Sequence, residues 1–490
     1  MCVLSAQKLF TMLGIFVFIL CVVLLVAGYA VYGRFVEKVY GFRKDMSMPC
    51  VENPDGVDYV PLPTWKVLLI QLLNIAGLGP VVGAISGCLF GPVALLWIVL
   101  GCVFAGAMHD FLAAAMSAER NGVNLPEIVG ENLGNVARHA MRFVCIFLLL
   151  MVGVVFTMLP AGMLGNMAGS VSVTTWSILI LGYYFLATVL PIQVIIGRLY
   201  PIFGAVFLFM AVGLAVMLPV SGYEVLPNLD IFTNYHPAGV SVWPMLFVTI
   251  ACGAISGFHA TQSPMMVRCT QSGCNVRRVF YGAMIVEGIV ALIWCVVGLT
   301  LRDALMDGGE TFAALTMKNP SAAVHAACNM LLGSVGGMVA VLGVVVLAIT
   351  SGDTAMRSCR LMLADVLRVK QVRPFSRLAL AVPLFLVVIA ISQVDFSSVW
   401  RYFGWGNQAL ACFTLWSIAA CLRRRGRNCL ISLFPALFMT CMCTCFLFCS
   451  KECGIQLSLE IATGIGVVFT LVCGGAFLRF VRPVQRNAAE

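Results

Sequence analysis

Thirteen apolar runs separated by short polar loops order this chain of 490 residues. Their approximate limits are 9–31, 66–89, 92–117, 140–167, 174–191, 199–219, 241–262, 277–300, 333–352, 377–393, 399–421, 429–449 and 457–480. A helix needs roughly 20 apolar residues to cross the hydrocarbon core of a bilayer. The pattern therefore predicts an all-α polytopic membrane protein with about 13 transmembrane helices. The first run is longer than the core of a signal peptide, and no small-residue cleavage site precedes Tyr32-Gly33-Arg34. It is expected to be a retained helix. The longest external loop is expected over 301–332, with a short interfacial helix from Ser321 to Leu332.

Composition agrees. Hydrophobic residues make up 61% and charged residues 10%, against about 25% charged in soluble domains. Lipid is the solvent such a surface needs. The net charge of +9 is not a nucleic-acid signal, because the positive residues sit in short loops, where they orient helices. With the carboxyl terminus in the cytoplasm, alternation leaves only Lys8, Arg302, Lys318, Arg401 and Lys451 outside, with Lys66 at a cytoplasmic helix end. The strongest cytoplasmic markers are Arg423, Arg424, Arg425 and Arg427 in one loop. Arg357, Arg360, Arg368, Lys370, Arg373 and Arg377 mark another. The amino terminus is then expected outside. The 21 cysteines include no CxxC pair. Soft packing is their expected role, and no metal site or cofactor is expected.

Two runs look broken. One reads Asn74-Ile-Ala-Gly77-Leu-Gly79-Pro80-Val-Val-Gly83. The other runs from Cys252-Gly253 through Ser256, Gly257 and His259 to Pro264. Each lies in the first helix of a five-helix block, 66–219 and 241–421. Five is odd, so the second block enters the membrane the other way round, forming a five-plus-five inverted repeat. Residues 1–65 add a helix and cytoplasmic loop before it, and 429–490 add two helices and a short tail. Paired broken helices mark a midplane binding site. Freed N–H groups hold a carboxylate there and freed carbonyls a cation. The alternative is glycine used for close helix packing.

Ionisable groups at membrane depth are functional candidates. His109 and Asp110 lie toward the end of 92–117, and Glu287 lies near the middle of 277–300. Asp110 follows Gly77 by 33 residues and Glu287 follows Gly253 by 34, so the two acids hold similar places in the two blocks. Asp353 and Thr354 close 333–352. These five residues are the expected ion-coupling set, for a proton, or for sodium with oxygens from Ser256, Asp353 and Thr354. The plainer reading pairs Asp353 with Arg357, four residues on. Asn74, Gly77, Gly79, Gly253, Ser256, Gly257, His259, Asn407 and Gln408 are the expected substrate-binding set. The two amides also fit as interhelical glue.

At these residues the chain resembles the carbon starvation protein A (CstA) family. The likeness runs from Tyr32-Gly-Arg34 through Asp55-Gly-Val-Asp-Tyr-Val-Pro61 and Ile75-Ala-Gly-Leu-Gly-Pro80. It continues with Phe104-Ala-Gly-Ala-Met-His-Asp-Phe111 and Cys252-Gly-Ala-Ile-Ser-Gly-Phe-His259. Thr350-Ser-Gly-Asp353, with Arg357, Arg360 and Asp365, and Phe403-Gly404 with Asn407-Gln408 complete it. The resemblance implies a bacterial inner-membrane transporter of the amino acid–polyamine–cation class. Its expected solute is peptide during carbon starvation, or pyruvate taken up with a proton. Family members usually carry a His-His pair where Ile70 and Gln71 stand here. No HExxH, GxSxG or CxxC motif suggests an enzyme. A sensor without transport would be expected to carry a cytoplasmic signalling domain, and none is recognised here. The expected partners are a small solute and the bilayer.

Overall fold

A computed structural model describes residues 2–168, 170–192, 196–306, 309–394, 396–450 and 455–483. Lys451, expected outside, lies beyond these residues. Inside a bilayer no water satisfies backbone N–H and C=O groups, so an apolar run must close its own hydrogen bonds as a helix. The chain does so throughout, and no strand forms among the described residues.

Helix α1, Cys2–Ala27, runs on through a π turn to Tyr40. Helices α2, Thr64–Ile75, and α3, Gly79–Phe90, form a pair bent by 54°. Gly91, at φ 90°, and Pro92 then turn the chain into α4, Val93–Ala118. Next come α5, Leu125–Leu133, α6, Asn135–Ala168, α7, Val173–Val189, and α8, Ile196–Val220. Helices α9, Val242–Thr249, and α10, Gly257–Val267, flank a second break. They are followed by α11, Gly282–Leu301, and α12, Phe312–Lys318. Helix α13, Pro320–Leu367, is split by a bend at Gly333, where φ is 70°. The chain closes with α14, Pro374–Ile391, α15, Phe396–Arg424, α16, Leu430–Cys449, and α17, Leu459–Phe480.

Every expected apolar segment falls on one of these helices or broken pairs. By length and apolarity, nine among the described residues qualify as membrane spans, ten with the α2–α3 pair. The others do not qualify for local reasons. Helix α7 has 17 residues, α9 and α10 are halves, and α15 carries Arg401, Asn407 and Gln408 within its length. The protein is a multi-pass membrane protein.

Helix α11 is the core: 89% of its most apolar stretch is buried, against 22% for α1 and 17% for α17. The two terminal helices thus stand at the periphery. One expected boundary moves. The segment ending at residue 352 continues as helix to Leu367, so Asp353, Arg357 and Arg360 lie inside α13 and are buried, not in a loop.

Candidate functional site: two helix breaks and a buried polar chain

Pro80 makes the first break. It has no N–H to donate, and its ring clashes with the carbonyl one turn back. The helix ends at Ile75, and Ala76 leaves the helical region at ψ 43°. The carbonyl of Leu73 is then taken by the hydroxyls of Thr350 and Ser351 on α13, at 3.0 and 3.1 Å. Asn74 and Gln71 are fully buried, and their amide groups have no hydrogen-bond partner among the described residues.

The second break spans Ile250 to Ser256, which is extended at φ −139°, ψ 126°. Neighbouring side chains cap its loose ends. The Trp97 indole donates to the Ile250 carbonyl at 2.9 Å, and Gln408 donates to the Phe247 carbonyl at 3.0 Å. At the amino end of α10, one oxygen of Asn407 accepts both the Phe258 N–H, at 2.8 Å, and the Ser256 hydroxyl, at 3.0 Å.

The five glycines of the two breaks are positions of close approach, Gly83 against the Thr249 carbonyl among them. A Cβ on Gly79 would meet the Cys252 side chain at 2.3 Å, and one on Gly257 would meet the Ala411 nitrogen at 2.3 Å. Gly77 lies against Phe156, and Gly253 against Ala291. Gly79 lets the two breaks touch, while Gly77, Gly253 and Gly257 seat them against α6, α11 and α15. Gly79, Gly83, Cys252, Trp400, Gly404 and Asn407 line a cavity of about 220 Å³ between them. Trp400 and Arg401 also border a larger one of about 600 Å³, which reaches Lys318 and His325 at the start of α13.

Beside the second break runs a chain of four buried ionisable groups. Asp110 meets His109 Nδ1 at 2.8 Å and His259 Nδ1 at 2.9 Å. On the other edge of the ring, His259 Nε2 stands 3.4 Å from Glu287. All four are 0% exposed. A π turn over Cys102–Gly106 rotates α4 just before His109, and such turns recur at functional sites. Gly106 lets α4 press on the Ala254 carbonyl. The matched spacing of Asp110 and Glu287 in the sequence thus places them on either side of one histidine.

Asp353 belongs to a different group. Its two carboxylate oxygens accept hydrogen bonds from Tyr183 and Tyr200, both at 2.7 Å. The expected pairing with Arg357 is corrected. Arg357 reaches Asp58 at 3.0 Å instead, and Arg360 reaches the same carboxylate at 3.3 Å. A one-turn spacing allows the local pair, but the long guanidinium stem finds a carboxylate in a distant loop. Burial pushes the Asp58 carboxyl up, but Arg357, Arg360 and Arg268 outweigh it and hold it below the usual carboxylate range. Thr354 donates to the Thr350 carbonyl of its own helix at 3.0 Å. The Tyr200 hydroxyl also lies 2.9 Å from that Thr350 carbonyl, so Asp353 and Thr354 belong to one hydrogen-bonded group, while Ser256, at the second break, is bonded to Asn407.

Sequence reasoning did not single out Tyr183, Tyr200, Cys252 or Asp58 as site residues. Tyrosines inside apolar runs, and an aspartate within Asp55-Gly-Val-Asp-Tyr, were the available signals.

This is an all-helical membrane fold with two touching helix breaks and a chain of buried ionisable groups beside the second. Its overall course matches MHP1, a nucleobase-cation-symport-1 family transporter solved in a closed conformation with bromovinylhydantoin bound. The TM-score is 0.53 at 13% identity, over 89% of this chain and 98% of that one. Residues 13–174, 160–335 and 329–446 match the profile of the carbon starvation protein CstA family, and the chain belongs to that family. A membrane protein of Haemophilus influenzae is 39% identical over 64% of this chain and 95% of its own length. The peptide transporter CstA of Campylobacter jejuni is 28% identical over 62% of this chain and 52% of its own. The pyruvate/proton symporter BtsT of Escherichia coli is 26% identical over 60% and 50%. The chain spans about half the length of these two named transporters.

Proposed function

We propose that the chain imports a small carboxylate-bearing nutrient, peptide in the first reading, by proton-coupled alternating access across a bacterial inner membrane. The observation that carries this reading is the amino end of α10. There the Phe258 N–H and the Ser256 hydroxyl converge on the single neutral oxygen of Asn407. A solute carboxylate taking that place offers the same donors a charged acceptor, and charge-assisted hydrogen bonds are about twice as strong as neutral ones. The half-helix dipole adds to the attraction. A peptide's ammonium would then find Glu287, which faces His259 at 3.4 Å and accepts no closer hydrogen bond among the described residues.

The repeat supports rocking. Residues 66–219 and 241–421 form the two inverted five-helix blocks, each opening with its broken helix. The remaining segments complete 13 spans, with the amino terminus outside and the carboxyl terminus in the cytoplasm. The cavity at Trp400 and Arg401 lies at the start of α13 and the Asp58–arginine cluster at its far end. The first is the external entrance and the second a closed cytoplasmic end. Asp353 is the coupling acid: the neighbouring arginine is engaged elsewhere, and two tyrosine hydroxyls hold the carboxylate.

Pyruvate is the second reading, favoured by the size of the cavity. Drug-sized ligands occupy roughly 300–1,000 Å³, and about 220 Å³ is small. Uptake of labelled dipeptide and labelled pyruvate into proteoliposomes with an imposed pH gradient separates the two. Transport of neither would overturn both, and uptake driven by sodium alone would refute the proton.

A further inference from the structure

Cys252, His259 and Glu287 reach one point from the second break, the start of α10 and the middle of α11. The cysteine sulfur, a histidine ring nitrogen and a glutamate oxygen all lie within 4.8 Å of one another, and all three residues are buried. His259 Nε2 and Glu287 face each other at 3.4 Å, and beyond that loose pair neither His259 Nε2 nor the Glu287 oxygens have a hydrogen-bond partner among the described residues. Buried polar atoms are as a rule hydrogen-bonded, so this loose pair beside a thiol, itself in contact with Ser256 and Asn407 at 3.6 and 3.7 Å, points to a ligand that accepts lone pairs from all three. The opposite ring nitrogen, Nδ1, is turned to Asp110 at 2.9 Å. That contact fixes the ring and leaves the Nε2 lone pair facing Glu287, the carboxylate–histidine arrangement found behind metal ligands.

We propose that this group binds a thiophilic divalent cation, with Zn²⁺ as the type and Cd²⁺ as its probe. The ligands are Cys252 Sγ, His259 Nε2 and a Glu287 oxygen, and water from the adjoining cavity completes four-coordination. Zinc bonds of about 2.0–2.3 Å put tetrahedral ligand atoms about 3.3–3.7 Å apart. The 3.4 Å between His259 and Glu287 fits that spacing. Sulfur and imidazole select zinc or cadmium over magnesium or calcium. Thiolate and carboxylate together cancel the ion's charge, and the thiol proton leaves to solvent on binding. Cys252 also lines the 220 Å³ cavity, which gives the ion its way in.

The test is a Cd²⁺ titration of the purified chain in lipid nanodiscs, followed by the near-ultraviolet thiolate-to-cadmium absorption, with Zn²⁺ as competitor. The wild type should show the band. Cys252→Ser should lose it and weaken binding at least about tenfold, while Glu287→Gln should keep it and weaken binding by about tenfold. Gel filtration and melting temperature establish that each variant is folded. If Cys252→Ser does not fold, Glu287→Gln decides, and unchanged affinity there overturns the proposal. So does a wild type without the band, or a band that survives Cys252→Ser, which would move the metal to thiols such as Cys441 or Cys445. Because the readout is binding, this site and the transport reading can fail separately.

Discussion

At the scale of the residue, three side chains carry separable roles. Asn407 presents a neutral oxygen to the α10 amino end. Asn407→Asp puts a fixed negative charge there, so initial uptake of an anionic solute should fall about tenfold or more, and more than in Asn407→Ser; equal rates in the two variants would refute the role. Asp353 is the proposed coupling acid. One proton falling through one pH unit sustains about a tenfold accumulation. Asp353→Asn should lose that accumulation and keep solute counterflow, measured in the same vesicles. Asp58 is the only acid ion-paired with Arg357 and Arg360 among the described residues. Removing one partner of a buried pair costs about 3–5 kcal/mol, so Asp58→Asn should lower the melting temperature in detergent markedly. The folded chain holds Asp58 deprotonated more strongly than the unfolded chain does. Its stabilisation is therefore fully present above the usual carboxylate pKa of about 3.9 and fades on acidification below it. A melting curve flat from pH 5 to 8 in this respect, and falling below about 4, is expected.

At the scale of the element, the breaks were legible because proline and glycine act locally. Pro80 lies at the joint of the bent α2–α3 pair, and Gly91 and Gly333 are found at positive φ. Pro264, by contrast, lies inside an unbroken α10, so the second break ends at Ser256 and does not reach Pro264 as expected. What each glycine faces was not legible, because a contact across a helix interface leaves no mark in local sequence. A Cβ added at Gly257 would stand 2.3 Å from the Ala411 nitrogen of the α15 backbone. Gly257→Ala therefore overpacks the joint by about 1–3 kcal/mol. It should abolish solute uptake while the protein still reaches the membrane, as scored by immunoblot of the membrane fraction; normal uptake would show that the close approach is dispensable. The expected end of α13 at residue 352 was misplaced for a related reason. Polar residues look like a loop until Asp58, far away in sequence, neutralises them.

At the scale of the whole molecule, the proposed thirteen spans would put the termini on opposite sides. A carboxyl-terminal fluorescent fusion should glow in the cytoplasm, and an amino-terminal epitope should be labelled on intact spheroplasts. Labelling of both termini on the same side would remove a span from the count and break the inverted repeat. The sequence by itself determined that this chain is helical and lives in lipid, and that two of its helices break. Those properties follow from chain length, apolarity and the backbone chemistry of glycine and proline, all local. The tertiary structure alone decided that Asp110 and Glu287 share His259, that Asp353 turns to two tyrosines while Arg357 turns to Asp58, and that Cys252 joins the group. Partner choice among buried charges depends on which helices touch, and desolvation makes the nearest opposite charge win regardless of sequence distance. The two helix breaks thus began as a pattern of glycines and prolines and became a joint with a cavity in it.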